Sequence, residues 1–295
     1  MSNFTLKKTT RKNSKIKIGL SAPSGSGKTY SALRLAYGLT GDWDKIGIID
    51  TENGTAANYA PNFNTKFNVI NLEAPFSPER YIEAIRTCEL AGMEVIIIDS
   101  ITQEWEGTGG CLEINETIAK AKFKGNTWTA WSETTPRHQK FINAIIYSPC
   151  HIITTVRNKI DMAQVEGKIK KVGVKEVTRE GFEYELSINL NIDRETHLAM
   201  VSKDRTNLFG DSDPFLITEE TGKKIKEWCE NGAVNYELLI KTANSDTEIN
   251  SLIAEINLKT EGQEQSSLKQ LIQKRAYELG LIFDQVSKTF ANPAN

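Results

Sequence analysis

The chain has 295 residues, with 36 Lys and Arg against 38 Asp and Glu and a formal net charge of −2. That length is enough for one large α/β domain with an appendage, and the balance of charge excludes a global basic field, so any nucleic-acid contact has to come from local patches. The 4 cysteines (Cys88, Cys111, Cys150, Cys229) lack zinc spacing, and there is neither an apolar run of membrane-spanning length nor a signal-peptide core, which together predict a soluble cytoplasmic protein with reduced thiols.

Residues 1–14 are polar and basic (Lys7, Lys8, Arg11, Lys12) and read as a flexible arm, either a solvated tail or a nucleic-acid contact. An apolar strand pattern, Ile16 to Leu20, follows. The run Ala22-Pro23-Ser24-Gly25-Ser26-Gly27-Lys28-Thr29 comes next, and then a helical pattern from Tyr30 to Leu39. Strand, Gly-rich loop and helix in that order make a phosphate-binding loop. Backbone N–H groups from Ser24 to Tyr30 and the helix N-terminus form a positive cradle for a phosphate chain. Lys28 reaches the outer phosphates in such a loop, and the Thr29 hydroxyl holds Mg²⁺. The motif ordinarily opens with Gly; Ala22 stands there, where small size matters more than backbone freedom.

Further strands are predicted at 45–50 and 67–72. Ser77-Pro78 starts a helix that carries Tyr81, Ile82 and Ile85 and stops near Gly92. Val95 to Asp99 is continuously apolar until its last residue, as in a parallel strand covered on both faces. Thr135-Pro136 reads as another helix start, and 151–156 as the next strand. The alternation predicts βαβ units and a mostly parallel sheet. Segments 182–193 and 196–203 read as antiparallel strands added at the sheet edge, and 218–230 as a closing helix. From residue 233 on the chain is helical and polar, with a capping box at Ser245–Glu248 and a second helix from about Ser267 to Leu279. These helices are expected to pack on the core or to dock a partner.

A nucleotide site also needs a second Mg²⁺ anchor and a group that orients the attacking water. Asp99 suits the anchor, its strand expected beside the one feeding the loop. The next residue is Ser100, which cannot serve as a carboxylate base, so the carboxylate must come from elsewhere. Glu52 is the leading candidate, just past the strand ending in Asp50. Glu104 and Glu106 are rivals.

Ile48-Ile49-Asp50-Thr51-Glu52 followed by Tyr59-Ala60 resembles the segment of RecA-family recombinases that carries a catalytic Glu and an adenine-stacking Tyr. Ile98-Asp99-Ser100 resembles that family's Mg²⁺ strand, and Ile153 to Arg157 the strand leading into its second DNA loop. Val201 to Thr206 resembles the strand that presents two cationic fingers to a neighbouring subunit's ATP, here Lys203 and Arg205. Taken alone, those two are equally well surface charges on an edge strand. Thr155 stands where that family has a γ-phosphate-sensing Gln, a departure from its pattern. The resemblance spans about residues 15–232 and is similar to phage-type RecA-like ATPases of recombination and single-strand annealing. It implies a RecA-like core at 15–232 with a mostly parallel central sheet and antiparallel edge strands, and a helical appendage at 233–295. It also implies ATP and Mg²⁺ as ligands, Glu52 polarising water, Tyr59 and Thr155 at the nucleotide, and a homo-oligomer with ATP at the subunit interface.

Two segments are candidates for single-stranded DNA. The first, about 103–134, interleaves Lys120, Lys122 and Lys124 with Phe123, Trp128 and Trp131, which suits phosphate tracking and base stacking or, for the tryptophans, core packing. The second, 157–179, carries Lys159, Lys168, Lys170, Lys171 and Lys175 with a hairpin turn at Gly167; a solvated hairpin is the alternative. The resulting expectation is a DNA-stimulated ATPase that oligomerises on single-stranded DNA and supports recombination, annealing or replication, in the host cytoplasm if phage-encoded. A single-strand-binding or replication protein would be a further partner. The alternatives are a nucleotide-dependent scaffold or switch without nucleic acid, and a helicase or helicase-loader ATPase. The chain shows no lid-like Arg cluster of a small-molecule kinase.

Overall fold

The computed structural model describes residues 14–165, 168–210, 212–230, 236–260, 262–285 and 288–292, with the backbone alone at 160–165, 168–174, 238, 259, 263 and 264. The basic arm through residue 13, the turn at Gly167 and the side chains of Lys168, Lys170 and Lys171 therefore lie outside the described residues.

The chain begins with β1 (Lys17–Ala22), which feeds the Gly-rich loop and α1 (Lys28–Thr40). β2 (Ile46–Asp50) and β3 (Asn68–Asn71) precede α2 (Pro78–Leu90) and β4 (Val95–Asp99). Three helices follow: α3 (Thr102–Glu106), α4 (Cys111–Lys122) and α5 (Thr127–Ile146). β5 (His151–Val165) and β6 (Lys168–Glu176) form a long hairpin. β7 (Ile188–Ile192), β8 (Ala199–Asp204) and α6 (Glu219–Glu230) complete the first compact unit, which ends at residue 231.

The eight-stranded sheet has the order β3-β2-β4-β5-β1-β7-β8, with β6 paired only to β5. All neighbours from β3 to β7 run parallel, and β8 is antiparallel to β7. β7 is parallel to β1 and antiparallel to the edge strand β8, so the expected antiparallel pair at the sheet edge is β7–β8, and residues 182–184 form a short 3-10 turn before it. β5 lies between β4 and β1, so the strand ending in Asp99 is one removed from the strand feeding the loop, not beside it.

Two-sided coverage explains the apolar run of β4. Val95 and Ile97 face one core with Ile18, Leu20, Leu33 and Ile225, while Ile96 and Ile98 face a second with Tyr81, Ile85, Phe141 and Ile145. Helices α1 and α6 cover the first face, α2 and α5 the second. Close approach of α1 to α6 requires glycine: a Cβ on Gly38 would sit 2.1 Å from the Glu219 carbonyl, and one on Gly222 2.3 Å from that of Leu35. The same interface holds a two-pronged Arg34–Glu219 ion pair with contacts of 2.9 and 2.6 Å.

The first segment considered for DNA, 103–134, is not an extended loop but three helices joined by short turns at 107–110 and 123–126. α5 starts at Asn126, whose side chain caps Thr129 N–H, and it runs through Pro136. Its buried stripe (Ala130, Thr134, His138, Phe141, Ile142, Ile145) crosses the proline without a break. Burial of that stripe outweighs the roughly 3 kcal/mol that proline costs inside a helix.

The second unit, from residue 232, has a core of its own. α7 (Tyr236–Thr242), α8 (Asp246–Lys259) and α9 (Gly262–Glu278) bury Ile240, Ile249, Ile256 and Ile272 against one another, together with Phe290 of the short hairpin β9 (Ile282–Asp284) and β10 (Thr289–Ala291). Ser245 caps α8 through Glu248 N–H as the capping box predicts, and Glu248 returns a bond to Asn244 N–H. Among the described residues no helix is long and apolar enough to cross a membrane.

Candidate nucleotide site

Because β1, β2, β4 and β5 are parallel, their C-terminal ends open on one sheet edge, where ligands of open α/β sheets bind. The Gly-rich loop, Glu52, Asp99 and Arg157 all stand at that edge. Gly25 and Gly27 have φ of 80° and 82°, a left-handed conformation open to glycine at little cost. Gly27 is the N-cap of α1, so the helix N-terminus opens directly into the loop. Ser24 is exposed, and the Ser26 hydroxyl is buried without a partner. Ala22 is fully buried at the end of β1.

Lys28 folds back on the loop, its ammonium donating to the carbonyls of Ala22 (3.1 Å) and Pro23 (2.9 Å). Burial pushes its pKa down, opposed by the nearby carboxylates of Asp99 and Glu52 and assisted by Arg157. Thr29 donates to Asp99 Oδ2 at 2.5 Å, and Thr155 donates to Asp99 Oδ1, also at 2.5 Å. Thr155 is fully buried, so its hydroxyl positions Asp99. Burial raises the Asp99 pKa, partly countered by these two hydroxyls. The Asp99–Ser100 peptide is cis, and the Ser100 hydroxyl is a second buried, unpartnered group.

Glu52 is placed by its own strand end. Asp50 accepts from Glu52 N–H (2.7 Å) and Ala56 N–H (2.8 Å), which folds the segment after β2 back toward the sheet. Thr51 ties β2 to β4 by accepting from Ser100 N–H at 2.9 Å. The Glu52 carboxylate receives two bonds from Arg157, at 2.7 and 3.2 Å. Tyr59 is half-buried, and burial and then the charges of Asp99 and Glu52 raise its pKa. Its ring lies 6.2 Å from that of Tyr30, which stacks on Phe63 at 5.2 Å.

The rivals of Glu52 are engaged elsewhere. Glu104 is fully buried and bonded to His138 Nδ1 (3.0 Å) and Cys111 Sγ (3.1 Å). Burial and this carboxylate push the Cys111 thiol well above its usual range. Glu106 pairs with Lys159 at 2.9 Å. Lys203 donates to the carbonyls of Glu183 (2.9 Å) and Tyr184, and Arg205 donates to that of Tyr184 at 2.6 Å. Burial and then Arg205 lower the Lys203 pKa.

Two site residues escaped the sequence reading. Arg157 was legible only as the end of a strand. His197, in the turn between β7 and β8, donates from Nδ1 to the Ser26 carbonyl at 3.2 Å, since a carbonyl only accepts. No local motif marks either residue.

Residues 14–228 match the model of a protein family described as AAA domain. The chain belongs to this AAA-domain family. It is therefore a P-loop ATPase, and the family match implies nucleotide binding, typically with Mg²⁺. This AAA domain carries Ser100, not Glu, directly after Asp99. The chain is also similar to a solved KaiC-like protein from the hyperthermophilic archaeon Pyrococcus horikoshii OT3, with 13% identity over 64% of this chain and 79% of that one, at a TM-score of 0.38. No curated protein matches the chain.

The residues fit a magnesium nucleotide. Thr29 and Asp99 put two hard oxygen donors side by side, as Mg²⁺ requires. The carboxylate is desolvated, a state a cation relieves. The buried, unpartnered Ser26 hydroxyl and the glycine-shaped loop supply donors for phosphate.

Of the described lysines assigned to nucleic acid, four are in ion pairs. Lys120 lies 4.0 Å from Glu116 and Lys122 2.6 Å from Glu133. Lys159 is held by Glu106, and Lys175 lies 3.6 Å from Glu180. Lys124 is exposed, with φ of 52°. Lys168, Lys170 and Lys171 pair in register with Val165, Ala163 and Met162.

Proposed function

We propose that this AAA domain is a RecA-like ATPase that assembles on single-stranded DNA and couples ATP turnover to that binding. The loop N–H groups and Lys28 hold the phosphate chain, and Tyr59 stacks on the adenine beside Tyr30. Thr29 and Asp99 hold Mg²⁺, which when bound neutralises phosphate charge. Thr155 keeps Asp99 in place. Glu52 accepts a hydrogen bond from the attacking water and turns it toward the γ-phosphate. Lys203 and Arg205 are offered to the ATP of a neighbouring copy, where their charge offsets that of the transferring phosphoryl group.

One observation carries the reading: the Arg157–Glu52 pair. β5 pairs with β1 up to Arg157 and with β6 from Asn158, so Arg157 is the junction between sheet and hairpin. Its guanidinium rests on the carboxylate that turns the water. A polyanion on the lysines of the hairpin thereby acts on the catalytic group through one side chain.

The test is ATP hydrolysis by wild type and Glu52→Gln, with and without single-stranded DNA. DNA should stimulate the wild type, and Glu52→Gln should lose turnover. In parallel, a labelled oligonucleotide titrated at two salt concentrations should bind more weakly at high salt and more weakly to Lys170→Glu/Lys171→Glu. Turnover indifferent to DNA and no oligonucleotide binding would favour the second reading, a nucleotide-dependent switch without nucleic acid. The carboxylate partners of Lys120, Lys122, Lys159 and Lys175 support that second reading.

A further inference from the structure

An open pocket of about 320 Å³ is lined by Trp105, Trp128, Trp131 and Arg179, none of which serves the nucleotide site. Its size is at the lower end of small-ligand sites, about 300–1,000 Å³. Distant segments converge on it: Trp105 belongs to α3, Trp128 and Trp131 open α5, and Arg179 follows β6. The Lys159–Glu106 pair holds the foot of the hairpin to α3.

The walls are set by packing. Trp105 and Trp131 stack with ring centroids 5.5 Å apart and an interplanar angle of 18°. Trp105 also meets the ring of His138 edge-on at 5.5 Å, and His138 is fixed by the buried Glu104. The Arg179 guanidinium lies over Trp131, 5.7 Å from the ring centroid. Trp128 is 87% exposed, so the first turn of α5 turns an indole outward instead of burying it.

These walls select a ligand that is both aromatic and anionic. Indole faces stack on flat rings. The guanidinium repels a quaternary ammonium group, the other ligand of aromatic cages, and favours a phosphate. Arg179 also lines the neighbouring cavity of about 520 Å³, where Lys175 and Lys203 stand among Glu176, Glu180 and Glu183. That cavity is balanced in charge, so the phosphate contact of the pocket falls to Arg179. Duplex bases are stacked on each other and present no free face.

We propose that this pocket takes one unpaired nucleotide of single-stranded DNA, its base stacked on Trp128 and the Trp105–Trp131 pair and its phosphate on Arg179. The inference rests on the DNA reading of the proposed function and names the side chains that hold a base, a role lysines cannot fill.

The experiment measures anisotropy of a labelled dT oligonucleotide, and of the same oligonucleotide with a run of abasic sites, against the full chain. Wild type should prefer the base-bearing strand. Trp128→Ala, at an exposed position that folding tolerates, should weaken dT binding about tenfold and remove most of the preference. Trp128→Phe should keep it. Arg179→Ala should weaken both strands and flatten the salt dependence. Wild-type binding with a base preference that Trp128→Ala and Trp131→Ala both leave unchanged overturns the pocket while the DNA reading stands. No DNA binding by wild type, or binding of RNA alone, overturns both.

Discussion

Arg157 Nη2 and Nε lie 2.7 and 3.2 Å from the same oxygen of Glu52, Oε1. The second carboxylate oxygen has no bond to the guanidinium, so the pair is a single-oxygen grip with one side of Glu52 free for a water. On the proposed mechanism Glu52→Gln keeps the shape and loses the charge that polarises that water. Turnover should fall by about 10²–10⁴-fold, the usual worth of a general base. Binding of a fluorescent ATP analogue should change little, since Lys28 and the loop carry it. Full turnover in Glu52→Gln would refute the assignment, with Glu104 and Glu106 held by their own partners.

Arg157→Ala tests the other end of the grip. Glu52 then loses its tether to the hairpin while Asp50 still fixes its backbone. Turnover without DNA should rise several-fold, and the ratio of turnover with DNA to turnover without it should fall toward one. The pair is part-exposed, with side chains 39% and 26% accessible, so its loss should cost no more than about 1 kcal/mol of stability, readable by urea denaturation. Unchanged stimulation by DNA would remove Arg157 from the coupling.

The parts legible in the sequence were those where a local pattern dictates the chemistry. The loop Ala22–Thr29 shows its strand, glycines and helix in order, and the run Val95–Asp99 shows a strand buried on both faces. Strand order is a long-range property, and nothing near Asp99 reports that β5 intervenes before β1. Pro136 read as a helix start because its local effect is strong, while the stripe that carries α5 through it is a matter of tertiary packing. Arg157, His197 and the Trp105–Trp131 stack depend on contacts across 105, 171 and 26 positions of chain. Asn126, by contrast, was an available signal for the start of α5.

Asp99 is expected to weaken the metal-free fold. Its pKa is raised by burial, so the folded chain binds this proton more tightly than the unfolded chain does. Stability therefore falls as pH rises from the ordinary carboxylate range through the raised folded value, and is flat above it. Asp99→Asn removes that term and should raise the thermal midpoint of metal-free protein above pH 7. The same variant should lose the stabilisation that Mg²⁺ and ATP together give wild type, because the carboxylate that anchors the ion is gone. Differential scanning fluorimetry with and without the pair reads both effects. A variant stabilised by Mg²⁺ and ATP as strongly as wild type would contradict the anchor role.

His151 sets an acid limit in the opposite sense. It opens β5, and its Nδ1 accepts from Ile16 N–H at 3.2 Å, which only an unprotonated nitrogen can do. Burial, followed by the positive charges of Lys15, Lys17 and Lys226, holds its pKa down at about 3 against 6.5 for the free side chain. The folded chain thus refuses a proton that the unfolded chain accepts. The contribution is fully present above about pH 6.5 and is lost progressively as pH falls toward 3, at a slope of at most about 1.4 kcal/mol per pH unit. His151→Gln keeps a carbonyl acceptor for Ile16 and removes the titration. Its urea-unfolding free energy should be lower than wild type at pH 7.5, and the gap should narrow between pH 6 and 4.5. Parallel pH profiles for the two proteins would show that folded His151 takes up its proton as readily as the unfolded side chain, and would refute the acid limit.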